Sequence, residues 1–238
     1  MLSIVGLGPG AASGRTLEAQ RALEEAQVIG GYTPYVEPLR SELPGREFFS
    51  TGMRGETERC RRALQLSREG KAVALCCSGD AQVYGMASLV LELATGQDDV
   101  RVIPGVTAAL SAAALLGAPL SGDFAVISLS DLLTPWEKIE RRLHGAGAGD
   151  FPVALYNPAS RTRTDRLSRA CGILLSYRSP GTPCGIVRCI AREGQRQEIL
   201  PLEALAVRQL DMLTTVVIGS SETVEKDGRL LTPRGYRL

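Results

Sequence analysis

The chain has 238 residues, 27 Lys and Arg against 26 Asp and Glu, one His, and a formal net charge of +1. A balance this even leaves no electrostatic footprint for nucleic acid or an anionic membrane surface, and the length suffices for a core without disulfide staples. Six cysteines without C-x-x-C spacing and a lone histidine supply neither a zinc ligand set nor a redox pair, so reduced, buried thiols and no metal site are expected.

In chain order, short β-type runs alternate with segments of helical period. SIV at 3–5, AQVIG at 26–30, KAVALCC at 71–77 and VRVIPG at 100–105 read as strands, with helices over 16–26, 55–69, 82–94 and 106–116. The second half repeats the alternation. FAVISLS, FPVALY, PCGIVRCI and MLTTVVIG are strands, helices fall near 135–144, 162–177 and 202–209, and 192–205 reads as a turn between extended pieces that adds an antiparallel element. The pattern predicts an α/β fold of two α/β domains, 1–117 and 123–238, joined by a Gly/Pro/Ser-rich linker at 118–122. No charged and apolar leader opens the sequence, and its most apolar long stretch, 107–120, is too short to cross a bilayer, which predicts a cytoplasmic protein.

Three strand-to-helix turns carry chemistry. SIVGLGPG at 3–10 satisfies G-x-G-x-x-A through Gly6, Gly8 and Ala11, a pattern that allows a backbone to approach pyrophosphate. Two details argue against a dinucleotide: Pro9 has no amide hydrogen to donate, and the second strand ends VIGGY without the acidic residue that should hold a ribose. CCSGDAQVYG at 76–85 places Gly79 for close backbone approach and Asp80 as a helix cap or a ligand acceptor. VIPGVTAAL at 102–110 adds a third turn, with Thr107 and Ala108 opening a helix. Each alone reads as ordinary turn chemistry. Three in a row after parallel strands converge on the edge where open α/β sheets bind ligands.

In that order and spacing, GLGPG, SGD-x-x-x-YG and PGVTA resemble the tetrapyrrole methylase family of S-adenosylmethionine-dependent enzymes, over the whole chain. SLSDLLTPW at 128–136 and LYNP at 155–158, with GIVRCIAREG, DMLTTVVIG and TPRGY, resemble its precorrin-3B or cobalt-factor III C17-methyltransferase branch in cobalamin biosynthesis. Ala81 after the aspartate, where many relatives have proline, and Cys189-Ile190 depart from the pattern. The resemblance implies a cofactor cleft between the two domains, with S-adenosylmethionine at Pro9, Ser78, Gly79, Asp80, Val83, Thr107, Ala108, Asn157, Ile190, Thr214 and Thr215. It further implies an acidic tetrapyrrole substrate and a homodimer.

Methyl transfer from a sulfonium to a ring carbon depends on alignment and exclusion of water, so no cysteine is assigned as a nucleophile. Lysine occurs only at 71, 138 and 226; the other basic residues are arginine, which suits forked recognition of the substrate's carboxylates or simply reflects an Arg-rich composition. Substrate contacts are expected at Gly8, Ser128, Arg161 and Arg163, with Arg54 as a lesser candidate. Ser130 and Asp131 are the candidates for the proton movements of ring contraction; Asp131 could equally cap the helix bearing Trp136. His144 is read as the partner of a helix C-terminus. The alternatives are a methyltransferase of the same fold acting at another macrocycle carbon or on another substrate, a nicotinamide-dependent oxidoreductase, and a non-catalytic corrinoid-binding protein.

Overall fold

A computed structural model describes residues 1–160 and 164–237. They divide into two compact units, Met1–Ala108 and Ala109–Leu238.

The first unit is a five-stranded parallel sheet in the order β3-β2-β4-β1-β5, built from β1 Leu2–Gly6, β2 Val28–Tyr32, β3 Glu47–Thr51, β4 Val73–Cys77 and β5 Val100–Ile103. Alternation along the strands sorts side chains to two faces. Val5, Ile29 and Cys76 pack with Ala19, Ala22 and Leu23 of α1 (Leu17–Glu25) and Leu39 of α2 (Thr33–Glu42). Leu2, Ile4, Leu75 and Cys77 pack with Cys60, Ala63 and Leu64 of α3 (Glu56–Arg68) and Ala87 and Val90 of α4 (Ala87–Leu93). The chain therefore leaves β1 toward one face and its neighbour β4 toward the other, and their carboxyl ends form a topological switch point.

The second unit holds a mixed sheet in the order β10-β9-β11-β8-β7. Its strands are β7 Ala125–Ser128, β8 Val153–Tyr156, β9 Pro183–Arg188, β10 Arg196–Pro201 and β11 Thr214–Ile218. β7 and β8 are parallel and the other pairs antiparallel, so the expected antiparallel element is β10 against β9. One face is covered by α6 (Trp136–Ala148), α7 (Arg166–Leu175) and the short α8 (Leu202–Leu205), through Ile139, Leu143, Leu167, Leu174 and Leu205. A small sheet adds β6 (Gly117–Ala118) beside the hairpin of β12 (Val224–Lys226) and β13 (Arg229–Leu231).

The division falls nine residues before the boundary expected at 117. The reason is α5 (Ala108–Leu116): Ala109 N–H donates to the Tyr156 hydroxyl at 2.6 Å, and Leu116 occupies the space a side chain at Gly185 would need. The segment expected as linker, 118–122, begins in β6 and ties back to the C-terminal strands, the Ser121 hydroxyl donating to the Thr232 carbonyl. Two further expectations are corrected. α6 does not stop at His144 but continues to Ala148, and His144 Nδ1 lies 3.0 Å from the Tyr177 hydroxyl, so it is not a helix-end partner. The helix expected from 82 starts at Ala87, because 78–86 is spent on a loop.

Candidate functional site

In the first unit, the turns after β1, β4 and β5 are locked by contacts that only glycine permits. Gly8 N–H donates to the Gly79 carbonyl at 2.9 Å and Gly79 N–H to the Gly8 carbonyl at 2.8 Å, a two-bond bridge across the switch point. Both glycines have positive φ, +74° and +66°. A Cβ on Gly105 would sit 2.2 Å from the Gly79 carbonyl oxygen and 2.6 Å from that of Gly6, so the PGVT turn closes on the other two backbone to backbone.

Asp80 completes the lock. Its Oδ1 accepts from the N–H groups of Gln82 (2.8 Å) and Val83 (3.1 Å), and its Oδ2 from Gly105 N–H at 3.0 Å. Burial pushes the carboxyl up, but the main-chain N–H groups of Gly105, Gln82, Val83 and Ala81 outweigh it, and the group stays ionised below the usual carboxylate range. Asp80 therefore does not cap α4. It ties the second turn to the third and leaves a fixed negative charge among them. Pro9, Ser78, Val83, Thr107 and Ala108 are half-buried around this lock.

In the second unit the remaining described candidates collect along one sheet edge. β7 and β8 run parallel and end in Ser128 and Tyr156; β11 begins there, and its Thr214 lies opposite Arg188 of β9. Ser128, Ser130, Asn157, Ile190 and Thr214 thus share the edge, with Thr215 one residue inward. Asn157, at φ +53°, donates from Nδ2 to Ser128 Oγ at 2.9 Å, which also accepts from Ser130 N–H at 3.2 Å. Thr214 is fixed by Asp211, which accepts from its hydroxyl at 2.8 Å, from Leu213 N–H at 3.0 Å and from Arg188 Nε at 2.8 Å. Burial raises the Asp211 carboxyl, and the Thr214, Arg188 and Leu213 bonds bring it below its ordinary value. Ile190 is buried between two residues of left-handed backbone, Cys189 at φ +52° and Ala191 at φ +53°.

Asp131 is not the cap of α6, whose first residue follows Pro135 without a side-chain cap. Its Oδ2 instead accepts from Arg166 Nη2 at 2.7 Å and Nε at 3.2 Å, and the Arg166 guanidinium also stacks 4.6 Å over Trp136. Arg161 and Arg163 lie outside the described residues. A groove of about 780 Å³ along α3 is lined by Arg54, Arg61, Arg62, Glu58 and Glu69; it carries both signs of charge and none of the residues of the three turns, so the switch point is the better site for the donor.

Sequence reading missed Gly105, Arg166 and Asp211 as members of these arrangements. Gly105 and Asp211 stand inside the quoted motifs PGVTA and DMLTT, so the signal was present. Arg166 becomes relevant only once α7 is folded beside the SLSD turn.

The chemistry of the first set is specific. GLGPG, SGDAQVYG and PGVTA contain no Lys or Arg, their main-chain donors at Gly8 and Gly79 are spent on each other, and the one charge at their centre is negative. A pyrophosphate finds no counter-charge there. A cationic, phosphate-free ligand such as a sulfonium donor fits.

Comparison with known proteins agrees with this reading. A family model described as Tetrapyrrole (Corrin/Porphyrin) Methylases matches residues 1–206. The chain is 44% identical over its full length to all of a "Probable cobalt-factor III C(17)-methyltransferase" of Salmonella typhimurium. It is 39% identical over 99% of its length to 96% of a "Precorrin-3B C(17)-methyltransferase" of a Sinorhizobium species. The crystal structure of the methyltransferase CobJ superimposes with a TM-score of 0.92 at 36% identity, covering 98% of this chain and 99% of that one.

Proposed function

The chain belongs to the tetrapyrrole (corrin/porphyrin) methylases, and on that premise we propose that it transfers a methyl group from S-adenosylmethionine to C17 of a precorrin-3B or cobalt-factor III macrocycle, with contraction of the ring, in cobalamin biosynthesis. The observation that carries this is the end-to-end similarity to proteins named for that reaction, in a chain whose switch point suits a cation.

S-adenosylmethionine supplies a methyl group already activated on sulfur. The work left to the protein is binding, alignment and exclusion of water. Pro9, Ser78, Gly79, Val83, Thr107 and Ala108 are assigned to the donor on the first unit, with Asp80 holding their turns in place and providing the negative charge. Asn157, Ile190, Thr214 and Thr215 are assigned to it on the second. Gly8 and Ser128 are assigned to the macrocycle, and Arg161 and Arg163 to its carboxylate arms. Ser130 and Asp131 are assigned to the proton movements of ring contraction, Asp131 entering with Oδ2 already held by Arg166. The working enzyme is read as a cytoplasmic homodimer without nucleic-acid or membrane partners; among the described residues no helix is long and apolar enough to cross a membrane.

The test is incubation with methyl-labelled S-adenosylmethionine and each of the metal-free and cobalt-loaded precursors, followed by product mass and NMR. One label at C17 is expected. A label at another carbon would move the chain to a different branch of the family, and calorimetric binding of NADH in place of the methyl donor would refute the reading.

A further inference from the structure

Arg59 is the one cation among the buried charged residues of the first unit, 3% exposed, and no described carboxylate lies within ion-pair distance of it. Its guanidinium is spent on neutral groups. Nε donates to Thr51 Oγ1 at 2.8 Å, Nη2 to the Gly52 carbonyl at 3.1 Å and Nη1 to Met86 Sδ at 3.4 Å, and it lies 5.8 Å from the centre of the Tyr32 ring. A buried cation without a counter-charge is expensive to retain where an apolar side chain would fill the same space. What this one does is join two loops at the carboxyl edge of the sheet, the β3–α3 loop at Gly52 and the β4–α4 loop at Met86.

Each of those loops holds a bulky residue on left-handed backbone, where L side chains are strained. Arg54 has φ +68° and Tyr84 has φ +55°. Tyr84 is 53% exposed, and Arg54 is exposed as well. Tyr84 is fixed from both sides, since Asp80 holds Val83 N–H at 3.1 Å and a Cβ on Gly85 would sit 2.2 Å from the Ala81 carbonyl oxygen. In the other loop the Thr51 hydroxyl that accepts from Arg59 donates to the Gly55 carbonyl at 3.3 Å. Strain that the surroundings over-determine in this way marks functional presentation of a side chain.

We propose that Arg59 is a positioning residue for the macrocycle: by tying the two loops together it holds the Arg54 guanidinium toward the carboxylate arms of the substrate and the Tyr84 ring toward its planar conjugated face. The inference rests on the proposed function, because a planar polycarboxylate is the ligand for which a forked cation beside an aromatic ring is suited.

The experiment is steady-state kinetics with the tetrapyrrole precursor, together with calorimetry of S-adenosylmethionine, on Arg59→Lys and Thr51→Val, and on Arg59→Lys combined with Arg54→Ala and Tyr84→Ala. Arg59→Lys is expected to raise KM for the tetrapyrrole about tenfold with kcat and donor affinity within about twofold. In the Arg54→Ala/Tyr84→Ala background the same change should add less than about twofold, because the residues through which it acts are gone. Thr51→Val, which removes one acceptor and leaves the cation, should raise KM about threefold and carries the test if Arg59→Lys does not fold. An unchanged KM with only lowered thermal stability, or an effect that multiplies in full in the double background, overturns the inference while leaving the methyltransferase reading intact. A wild-type protein that binds the donor but alkylates no tetrapyrrole overturns both.

Discussion

Both carboxylate oxygens of Asp80 accept from the protein's own backbone, Oδ1 from Gln82 and Val83 and Oδ2 from Gly105. Asp80→Asn preserves the shape but offers one acceptor oxygen and an amide donor, so at least one backbone N–H among Gln82, Val83 and Gly105 loses its partner. The expected cost is about 1–3 kcal/mol in denaturant unfolding, with loss of S-adenosylmethionine binding by calorimetry. The pH dependence follows from the direction of the shift. A carboxyl held below its unfolded value, about 3.9, contributes its stability in full above that value and loses it as the pH falls through the lower folded value. Wild-type protein should therefore lose stability more steeply than Asp80→Asn below about pH 4. Backbone strain gives a change of opposite sign. Ala191 sits at φ +53° beside Ile190, and Ala191→Gly removes a left-handed penalty of about 1–2 kcal/mol while adding flexibility to the unfolded chain. A net gain of about 0.5–1 kcal/mol in urea unfolding is expected, and a loss would mean the strain is relieved in another way.

At the level of elements, the three turns behave as one object because Gly6, Gly79 and Gly105 meet backbone to backbone. Gly105→Ala puts a methyl against two carbonyl oxygens that belong to different strands' exits, so neither can give without moving its strand. Destabilisation at or above the usual overpacking range of about 1–3 kcal/mol is expected, together with donor binding below detection in calorimetry; Gly122→Ala, which meets open space, is the control and should change neither. The alternation of strands and helices was legible because the central strands of the first unit, β1, β2 and β4, are buried on both faces and read as apolar runs. What was missed has identifiable causes. α2 carries Pro34 in its first turn and Pro38 inside, which disguises a helix as a loop, and β3 is an edge strand in which only Phe49 is buried. The β12–β13 hairpin turns at Asp227 and Gly228, with φ +50° and +70°; an Asp-Gly pair between extended runs is a strong hairpin signal that the apolar pattern alone did not bring forward. The site motifs of the first unit were legible as contiguous turns. The Asp131–Arg166 and Asp211–Thr214–Arg188 arrangements were less so, since two of their links join residues distant in sequence and their pairing is decided by which strands become neighbours.

For the molecule as a whole, the cysteines offer a reading of how the core is closed. Cys60, Cys76, Cys77, Cys171 and Cys184 are buried, and Cys189 alone is partly exposed. Burial pushes the Cys60 and Cys77 thiols up to about 11 and those of Cys171 and Cys184 to about 12, and raises Cys76 further. A thiol in that condition has almost no thiolate at neutral pH and no path for a reagent, so its reactivity reports opening of the core and not its own chemistry. Titration of the native protein with a chromogenic disulfide at pH 8 should therefore find one fast thiol, absent in Cys189→Ala, and all six only after unfolding. The same variant bears on catalysis. If methyl transfer needs only an activated donor and an aligned carbon, Cys189→Ala should retain kcat within about threefold, since no thiol is asked to attack the methyl group. A loss of several orders of magnitude in that variant would place a covalent step where the fold provides alignment, and would require the chemistry of the whole site to be rebuilt around a nucleophile.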